Sequence, residues 1–329
     1  MKYAAVKFAK RPAGLITPDV FETIILEVGP VAEGQMLLKQ THMHLAPSLR
    51  GLMDDDAGGY LPPLSIGEIL PSVGIAEVVE SRNGAFPVGS RVFGPTGWRE
   101  YLVSDGTGFT SLPHQLQAEL VLAVLSPGLS AYYGLMHLAK PAGGETLVVS
   151  GGAGSVGSLV GQIGKAQGLH VVGVAGSGAK CQWMEDELGF DHAVNYKSPS
   201  LAEDLAEATP RGIDIYFENT GGPVQSAAYA RMNMRGRIVV CGMISEYNAA
   251  ELSPGPNWLD INRKRLSIQG FVISDHMDQA PTMTQKLTQL FLDGKLKYRV
   301  HTLKGIESAL EGINLLFSGG NEGKLILEF

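Results

Sequence analysis

The sequence predicts an α/β protein, with a doubly wound parallel sheet beside a second region whose all-β sheet is partly closed. Three observations predict it. From about Gln117 onward, short apolar strands alternate with helical stretches, the pattern of a parallel sheet covered on both faces. Before that point, β-rich pieces are broken at irregular intervals by Gly and Pro, which suits an antiparallel sheet better than strand–helix units. A glycine-rich loop stands between the first strand and the first helix of the alternating half.

In the first 115 residues the β-rich pieces are Ile69–Glu80, Ser90–Phe93 and Tyr101–Ser104. They are punctuated at Gly58-Gly59, Pro62-Pro63, Phe86-Pro87 and Gly94-Pro95. In the alternating half, the strand Leu147–Ser150 precedes a helix over Ser155–Gln167 and a strand at His170–Ala175. A helix over Ala179–Leu188 leads to the short strand His192–Asn195, and Leu201–Ala208 is helical before the strand Ile213–Phe217. A helix over Gly222–Met232 then precedes the strand Arg237–Cys241. Leu252–Asn257 reads as a loop, Ser267–Ile273 as strand-like, His276–Asp293 as helix and Arg299–Phe329 as short mixed pieces. The pattern sets residues 117–298 apart as an α/β domain and residues 1–116 as a β-rich domain, which 299–329 could rejoin.

At 329 residues the chain is about twice the length of one typical domain. It is 44% hydrophobic and 18% charged, enough apolar material for a sizeable core and too apolar for a disordered chain. The net charge of −7, without a basic run, argues against nucleic-acid or anionic-membrane binding. Two cysteines, Cys181 and Cys241, are too few for a disulfide framework or a Cys-rich zinc site. Charges interrupt every apolar stretch of the N-terminus, and the longest apolar run, near Leu120–Leu125, is too short to span a bilayer. These features predict a soluble, cytoplasmic protein. The 42 glycines are about double the usual ~7%, and with no G-X-Y period they point to close backbone approach.

Gly152, Gly154 and Gly157 satisfy G-x-G-x-x-G, with Ser155 and Val156 inside the loop. In such a loop the first glycine makes a tight turn and the second lets backbone approach a pyrophosphate. The third allows close helix–strand packing, and the helix N-terminus offers N–H donors. An NAD site carries an acid about 20 residues on, at the end of the second strand, to accept the ribose 2′-hydroxyl. Here that stretch is Val174-Ala175-Gly176-Ser177-Gly178-Ala179-Lys180, and the nearest acid, Glu185, lies well into the helix. Alone, Lys180 reads as a solvated helix lysine. The missing acid favours Ser177 and Lys180 as contacts for a 2′-phosphate, and so NADPH over NADH.

Around this loop the chain resembles the zinc-independent medium-chain dehydrogenases/reductases, in the leukotriene B4 12-hydroxydehydrogenase/prostaglandin reductase branch that includes curcumin and alkenal double-bond reductases. The resemblance covers essentially the whole chain. It rests on Ser126-Pro127-Gly128-Leu129-Ser130-Ala131-Tyr132, Val172-Gly173-Val174-Ala175-Gly176-Ser177, Asn195-Tyr196-Lys197 and Phe217-Glu218-Asn219-Thr220-Gly221-Gly222. Further motifs are Cys241-Gly242-Met243-Ile244-Ser245-Glu246-Tyr247-Asn248, Pro254-Gly255-Pro256 and Gly320-Asn321-Glu322-Gly323-Lys324. It implies a Rossmann domain beside a GroES-like, partly closed β-barrel, and a homodimer. It also implies that Lys180 and Tyr196 hold the adenosine phosphate. Asn219, the segment Cys241, Gly242, Met243, Ile244, Ser245 and Tyr247, the residues Phe271, Val272 and Ile273, and Asn321 would line the nicotinamide side. From the residues alone, Tyr196 is equally a half-buried aromatic, Asn219 equally turn chemistry, and Cys241 a small buried hydrophobe rather than a reactive thiol.

His42 and His44 alternate along an expected strand, but two histidines without a third close ligand make a weak metal site. Without a Lewis acid, the resemblance implies reduction of an activated C=C bond in a small enone or enal. Hydride goes to the β-carbon, and the charge that develops on the carbonyl oxygen needs hydrogen-bond donors. Tyr247 is the best placed donor, its phenol being protonated at neutral pH with an ordinary pKa near ~10; a ribose hydroxyl or water are the alternatives. The family's Leu-Asp-Pro-Tyr-Met-Arg-Gly is replaced here by Leu45-Ala46-Pro47-Ser48-Leu49-Arg50-Gly51, which opens the pocket at Ser48. Quinone reduction by the same fold, and NADPH binding without catalysis, are the competing expectations.

Overall fold

Alternating apolar and polar side chains lay the first part of the chain into antiparallel strands. The structure, a computed structural model, describes residues 1–55, 62–249 and 251–329; the Gly58-Gly59 signal lies outside the described residues. Strand β1 (Lys2–Phe8) pairs with β2 (Phe21–Glu27), from Lys2↔Glu27 to Phe8↔Phe21. Then come β3 (Met36–His44), β4 (Gly74–Ser81), β5 (Arg91–Gly94), β6 (Tyr101–Ser104) and β7 (Thr110–Leu112). The Ile69–Glu80 expectation shortens to β4 because Pro71 cannot donate to a ladder; Ile69 makes only an isolated bridge to Lys7.

The parallel strands are β8 (Thr146–Ser150), β9 (His170–Ala175), β10 (His192–Asn195), β11 (Ile213–Glu218), β12 (Met232–Val240) and β13 (Ser267–Gly270), the innermost built on apolar runs such as Leu147–Val149 and Val171–Ala175. Their order is β10-β9-β8-β11-β12-β13, the doubly wound arrangement with its reversal between β8 and β11. Helices Gly157–Ala166, Gly178–Asp186, Leu201–Ala208 and Gly222–Arg231 connect the strands. Val148, Val172, Leu205, Ile213, Tyr216, Ala228 and Ile238 form one of its buried clusters. The chain then returns with β14 (Val300–Lys304) and β15 (Lys324–Glu328), and β15 pairs with β3 through Ile326↔His44. The seven-stranded sheet runs β14-β15-β3-β4-β5-β7, with β6 also on β3. Its core is built around Phe8, Met43, Leu45, Met53, Leu70, Trp98, Ile313 and Leu327.

Two compact units result: residues 1–122 with 300–321 and 325–329, and residues 123–299 with 322–324. Several boundaries differ from the sequence pattern. The helix expected from Ser155 begins at Gly157, because the loop residues before it are turns. The fifth parallel strand starts at Met232 rather than Arg237, and Cys241 falls beyond its end. β13 stops at Gly270, and the helix expected from His276 is a 3₁₀ segment, Ile273–Gln279, followed by Ala280–Leu292, since His276 departs from helical geometry. Ala309–Ser318 is a helix inside the stretch expected to be mixed, its apolar stripe placing Ala309 and Ile313 in the core. The helical stretch Ala118–Ala139 is long and apolar enough to cross a membrane by length and composition; 56% of its most apolar window is buried inside the protein, as in a core helix.

A bidentate ion pair ties β12 to the turn before β8. Arg237 donates from Nη1 and Nη2 to Glu145 at 2.8 and 2.6 Å, and from Nε to the Ala139 carbonyl at 3.0 Å. The bond from Arg237 holds the Glu145 carboxyl below its ordinary 4.5. A depressed carboxylate stabilises the fold fully above its unfolded pKa and ceases to as pH falls through the lower native one. Glu145→Gln is expected to cost about 1–2 kcal/mol at neutral pH. The gap between the thermal melts of the two proteins should narrow progressively as pH falls below the ordinary carboxylate range and Glu145 is protonated.

Candidate functional site

The turn after β8 is made by glycines for reasons that differ from the sequence expectation. Gly151, not Gly152, takes the left-handed conformation, with φ +60°. Gly152 serves packing: a Cβ there would lie 2.7 Å from the Met184 sulfur and 3.1 Å from the Gly173 Cα. Gly157 is glycine because a Cβ would come within 2.3 Å of the Gly151 carbonyl oxygen. At Gly154 a Cβ would meet only that oxygen, at 3.1 Å, so this position faces open space. The ten-residue helix Gly157–Ala166 begins here and directs the positive end of its dipole at the loop. A backbone cradle of this kind fits a pyrophosphate, whose negative oxygens need N–H donors and no intervening side chain.

Ser150 and Glu218 end β8 and β11, the strands that flank the reversal of the sheet, where ligands of open α/β sheets bind. Glu218 is fully buried. Its Oε1 accepts from Ser150 Oγ at 2.7 Å, Thr220 N at 2.8 Å and Gly221 N at 2.9 Å. Asn219 is held on Ser150 twice: its N donates to Oγ and its Nδ2 to the carbonyl oxygen, both at 2.7 Å. The segment after β12 hangs from the same turn, since Cys241 N donates to the Glu218 carbonyl at 2.9 Å and Ser245 N to the Thr220 carbonyl at 2.9 Å. The structure thus brings together Asn219, Cys241, Gly242, Met243, Ile244 and Ser245.

Tyr247 folds back onto this segment, its hydroxyl accepting from Met243 N at 3.3 Å. Its oxygen is the acceptor in that bond. Burial pushes the Cys241 thiol up to about 12, so it is protonated at neutral pH. Phe271 packs on Tyr133, with ring centroids 5.4 Å apart. Tyr133 is itself sandwiched between His276 at 4.0 Å and His137 at 5.3 Å, which fixes the segment carrying Phe271, Val272 and Ile273. Asn321 belongs to the other compact unit.

The end of β9 carries no acid. Ser177 has a task of its own there: it caps the helix Gly178–Asp186, its Oγ accepting from Lys180 N at 3.3 Å. Lys180 is half-buried, and its ammonium is pulled below its ordinary range by desolvation, with Glu322 opposing the shift and Lys197 adding to it. The Tyr196 ring lies against Gly176, where a Cβ would meet it at 2.8 Å, and Lys197 Nζ stands 5.9 Å from the ring centre. Glu185, the nearest acid in sequence, is engaged by Ala193 N at 2.8 Å. Two lysines, a hydroxyl and a phenol therefore gather where an NAD-type site would present a carboxylate.

Sequence reasoning missed Glu218, Ser150, Lys197 and Tyr133. For Glu218 a signal existed: a charged residue directly closes the apolar strand Ile213–Phe217. His42 lies on β3 with Nδ1 3.0 Å from Thr41 Oγ1, and among the described residues no three His, Cys, Asp or Glu side chains gather as a metal-ligand group.

Family models match in two blocks, "N-terminal domain of oxidoreductase" over residues 5–112 and "Zinc-binding dehydrogenase" over residues 155–291. The chain is 39% identical to the NADPH-dependent curcumin reductase of Escherichia coli K12, over 97% of this chain and 94% of that protein. The chain belongs to the medium-chain dehydrogenase/reductase family, in its curcumin and prostaglandin reductase branch. Prostaglandin reductase 1 of Bos taurus is 38% identical over 97% of both chains. The crystal structure of CurA from Vibrio vulnificus in complex with NADPH superposes with TM-score 0.94 and 38% identity, covering 99% of this reductase-family chain and 98% of that one.

Two outcomes follow from this geometry. Gly157→Ala should destabilise the protein by about 2 kcal/mol or more, since backbone meets the new methyl, and a denaturant melt reads it. Cys241 should resist a thiol reagent at pH ~8 in the native protein and react on denaturation, which quantitative thiol titration reads.

Proposed function

We propose that this protein reduces the C=C bond of α,β-unsaturated ketones and aldehydes with NADPH. The observation that carries the cofactor is the acid-free end of β9, where Ser177, Lys180, Tyr196 and Lys197 converge. Lys180 and Lys197 supply charge to a 2′-phosphate, Gly152 to Gly157 the pyrophosphate cradle with Ser155 and Val156, and Asn219 and residues 241–245 the nicotinamide side. Relatives named as a curcumin reductase, a prostaglandin reductase and an NADP-dependent 2-alkenal reductase, at 36–39% identity, support the reaction class.

When bound, NADPH supplies the hydride that goes to the β-carbon. The chain's own contribution is at the carbonyl oxygen, where charge builds up as an enolate. Tyr247, whose hydroxyl accepts from Met243 N, is the proton donor proposed for that charge. No metal enters this reading, because hydrogen-bond donors do the polarising. Residues 1–116 with 299–329 are proposed as the catalytic and substrate domain and 117–298 as the cofactor domain. The Pro47–Met53 turn, with half-buried Ser48, would give a roomier pocket than a tyrosine there. The protein is read as cytoplasmic, beside its NADPH supply.

The proposed homodimer forms through β13. This strand ends the parallel sheet with all four residues exposed, and Trp258 and Leu259 nearby are 81% and 50% exposed. Sedimentation velocity should show a dimer that Ile268→Lys converts to monomers.

Absorbance at 340 nm tests the activity. Straight-chain and aryl enones should be turned over with NADPH and far less with NADH. Lys180→Ala should raise KM for NADPH by about tenfold or more and leave that for NADH little changed. Turnover of quinones alone, or binding of NADPH with no acceptor reduced, would overturn the proposal.

A further inference from the structure

We infer that Glu218 is the positioning residue of the nicotinamide end of the site, its buried carboxylate setting the place of Asn219 and of the 241–245 segment. The inference rests on the cofactor reading above. A carboxylate removed from water is costly unless donors replace its hydration. Among the described residues no lysine, arginine or histidine pairs with Glu218, and three donors within 2.9 Å converge instead on the single oxygen Oε1, with Thr220 Oγ1 farther off at 3.4 Å. Two of them, Thr220 N and Gly221 N, lie at the start of the helix Gly222–Arg231, where the dipole favours negative charge. The third, Ser150 Oγ, crosses from β8 and spans the reversal of the sheet.

The consequence for Asn219 is specific. Its N and Nδ2 are both committed to Ser150, and Ser150 is committed to Glu218. Asn219 Oδ1 is thereby left as an acceptor without a partner among the described residues, the group that a ribose hydroxyl requires. The main chain repeats the pattern: the Glu218 carbonyl accepts from Cys241 N and Gly242 N, and the Asn219 carbonyl from Ile244 N at 3.2 Å. Among the described residues, none of the bonds named here involves Lys180 or Tyr196. If Glu218 acts only as packing, its loss disturbs both ends of the cofactor site alike. If it positions the nicotinamide end, one end alone is affected.

Oε2 of Glu218 and the hydroxyl of Tyr216 are the two buried side-chain atoms without a hydrogen bond among the described residues. Both residues stand two apart on β11 and so share a face. Glu218→Gln therefore keeps one oxygen for the three donors and places an amide where Oε2 has no bond to lose.

The test compares two ligands by isothermal titration calorimetry: NADPH, and adenosine 2′,5′-bisphosphate, which lacks the nicotinamide half. Glu218→Ala should weaken NADPH by about tenfold or more, ~1.4 kcal/mol, and change the bisphosphate by less than about twofold. Glu218→Gln should stay close to wild type, and Ser150→Ala should fall between with the same selectivity. A parallel loss for both ligands, or no loss for either, would sink the inference. Should Glu218→Ala not fold, Ser150→Ala decides by the same comparison. A selective loss in the variants, together with a wild-type protein that reduces no enone, would overturn the double-bond reading and leave Glu218 in its role. Wild type that binds neither ligand would overturn both.

Discussion

Glu218 Oε1 and Ser150 Oγ meet at 2.7 Å where the order of the parallel strands reverses, between β8 and β11. Doubly wound sheets leave a crevice at such a reversal because consecutive helices depart to opposite faces. An open crevice would let the ends of β8 and β11 drift apart. A buried acid with three donors holds them together, and its desolvation cost means that it does so only in one arrangement. The tight turn at Gly151, the seat of Asn219 and the hang of residues 241–245 all follow from that arrangement.

At the end of β9, proposed to hold the adenosine phosphate, the chemistry is different. There the sequence supplies charge and flat aromatic surface rather than a buried acid, and glycine at 176 makes room for Tyr196. Lys180 is held half out of water, so its charge is less shielded than that of a surface lysine. One end of the site is thus organised by hydrogen bonds in a dry interior, the other by cations near solvent.

Much of this was legible in the chain. His170–Ala175, His192–Asn195 and Leu201–Ala208 keep the limits their residue patterns predict, because apolar strands and an amphipathic helix are local signals. The exchange of roles between Gly151 and Gly152 was not legible, because G-G-x-G leaves the left-handed position open until packing against Met184 decides it. The strand Met232–Val240 was read short, as Asn233, Arg235 and Arg237 hide its start. Glu218 stood inside a recognised motif, yet its partners Ser150 and Thr220 lie on opposite sides of the reversal, a contact that only the tertiary fold creates.

β15 lies between β14 and β3, so the last residues of the chain occupy an interior place in a sheet whose first strands were made nearly 300 residues earlier. Residues 123–299 are contiguous and hold nearly all of the parallel unit. During synthesis on the ribosome, the cofactor-binding half therefore has everything it needs while the antiparallel half still exposes the edge of β3. That half closes only once β15 has been made, which makes the interval between the two events the period when the nascent chain most needs protection from aggregation.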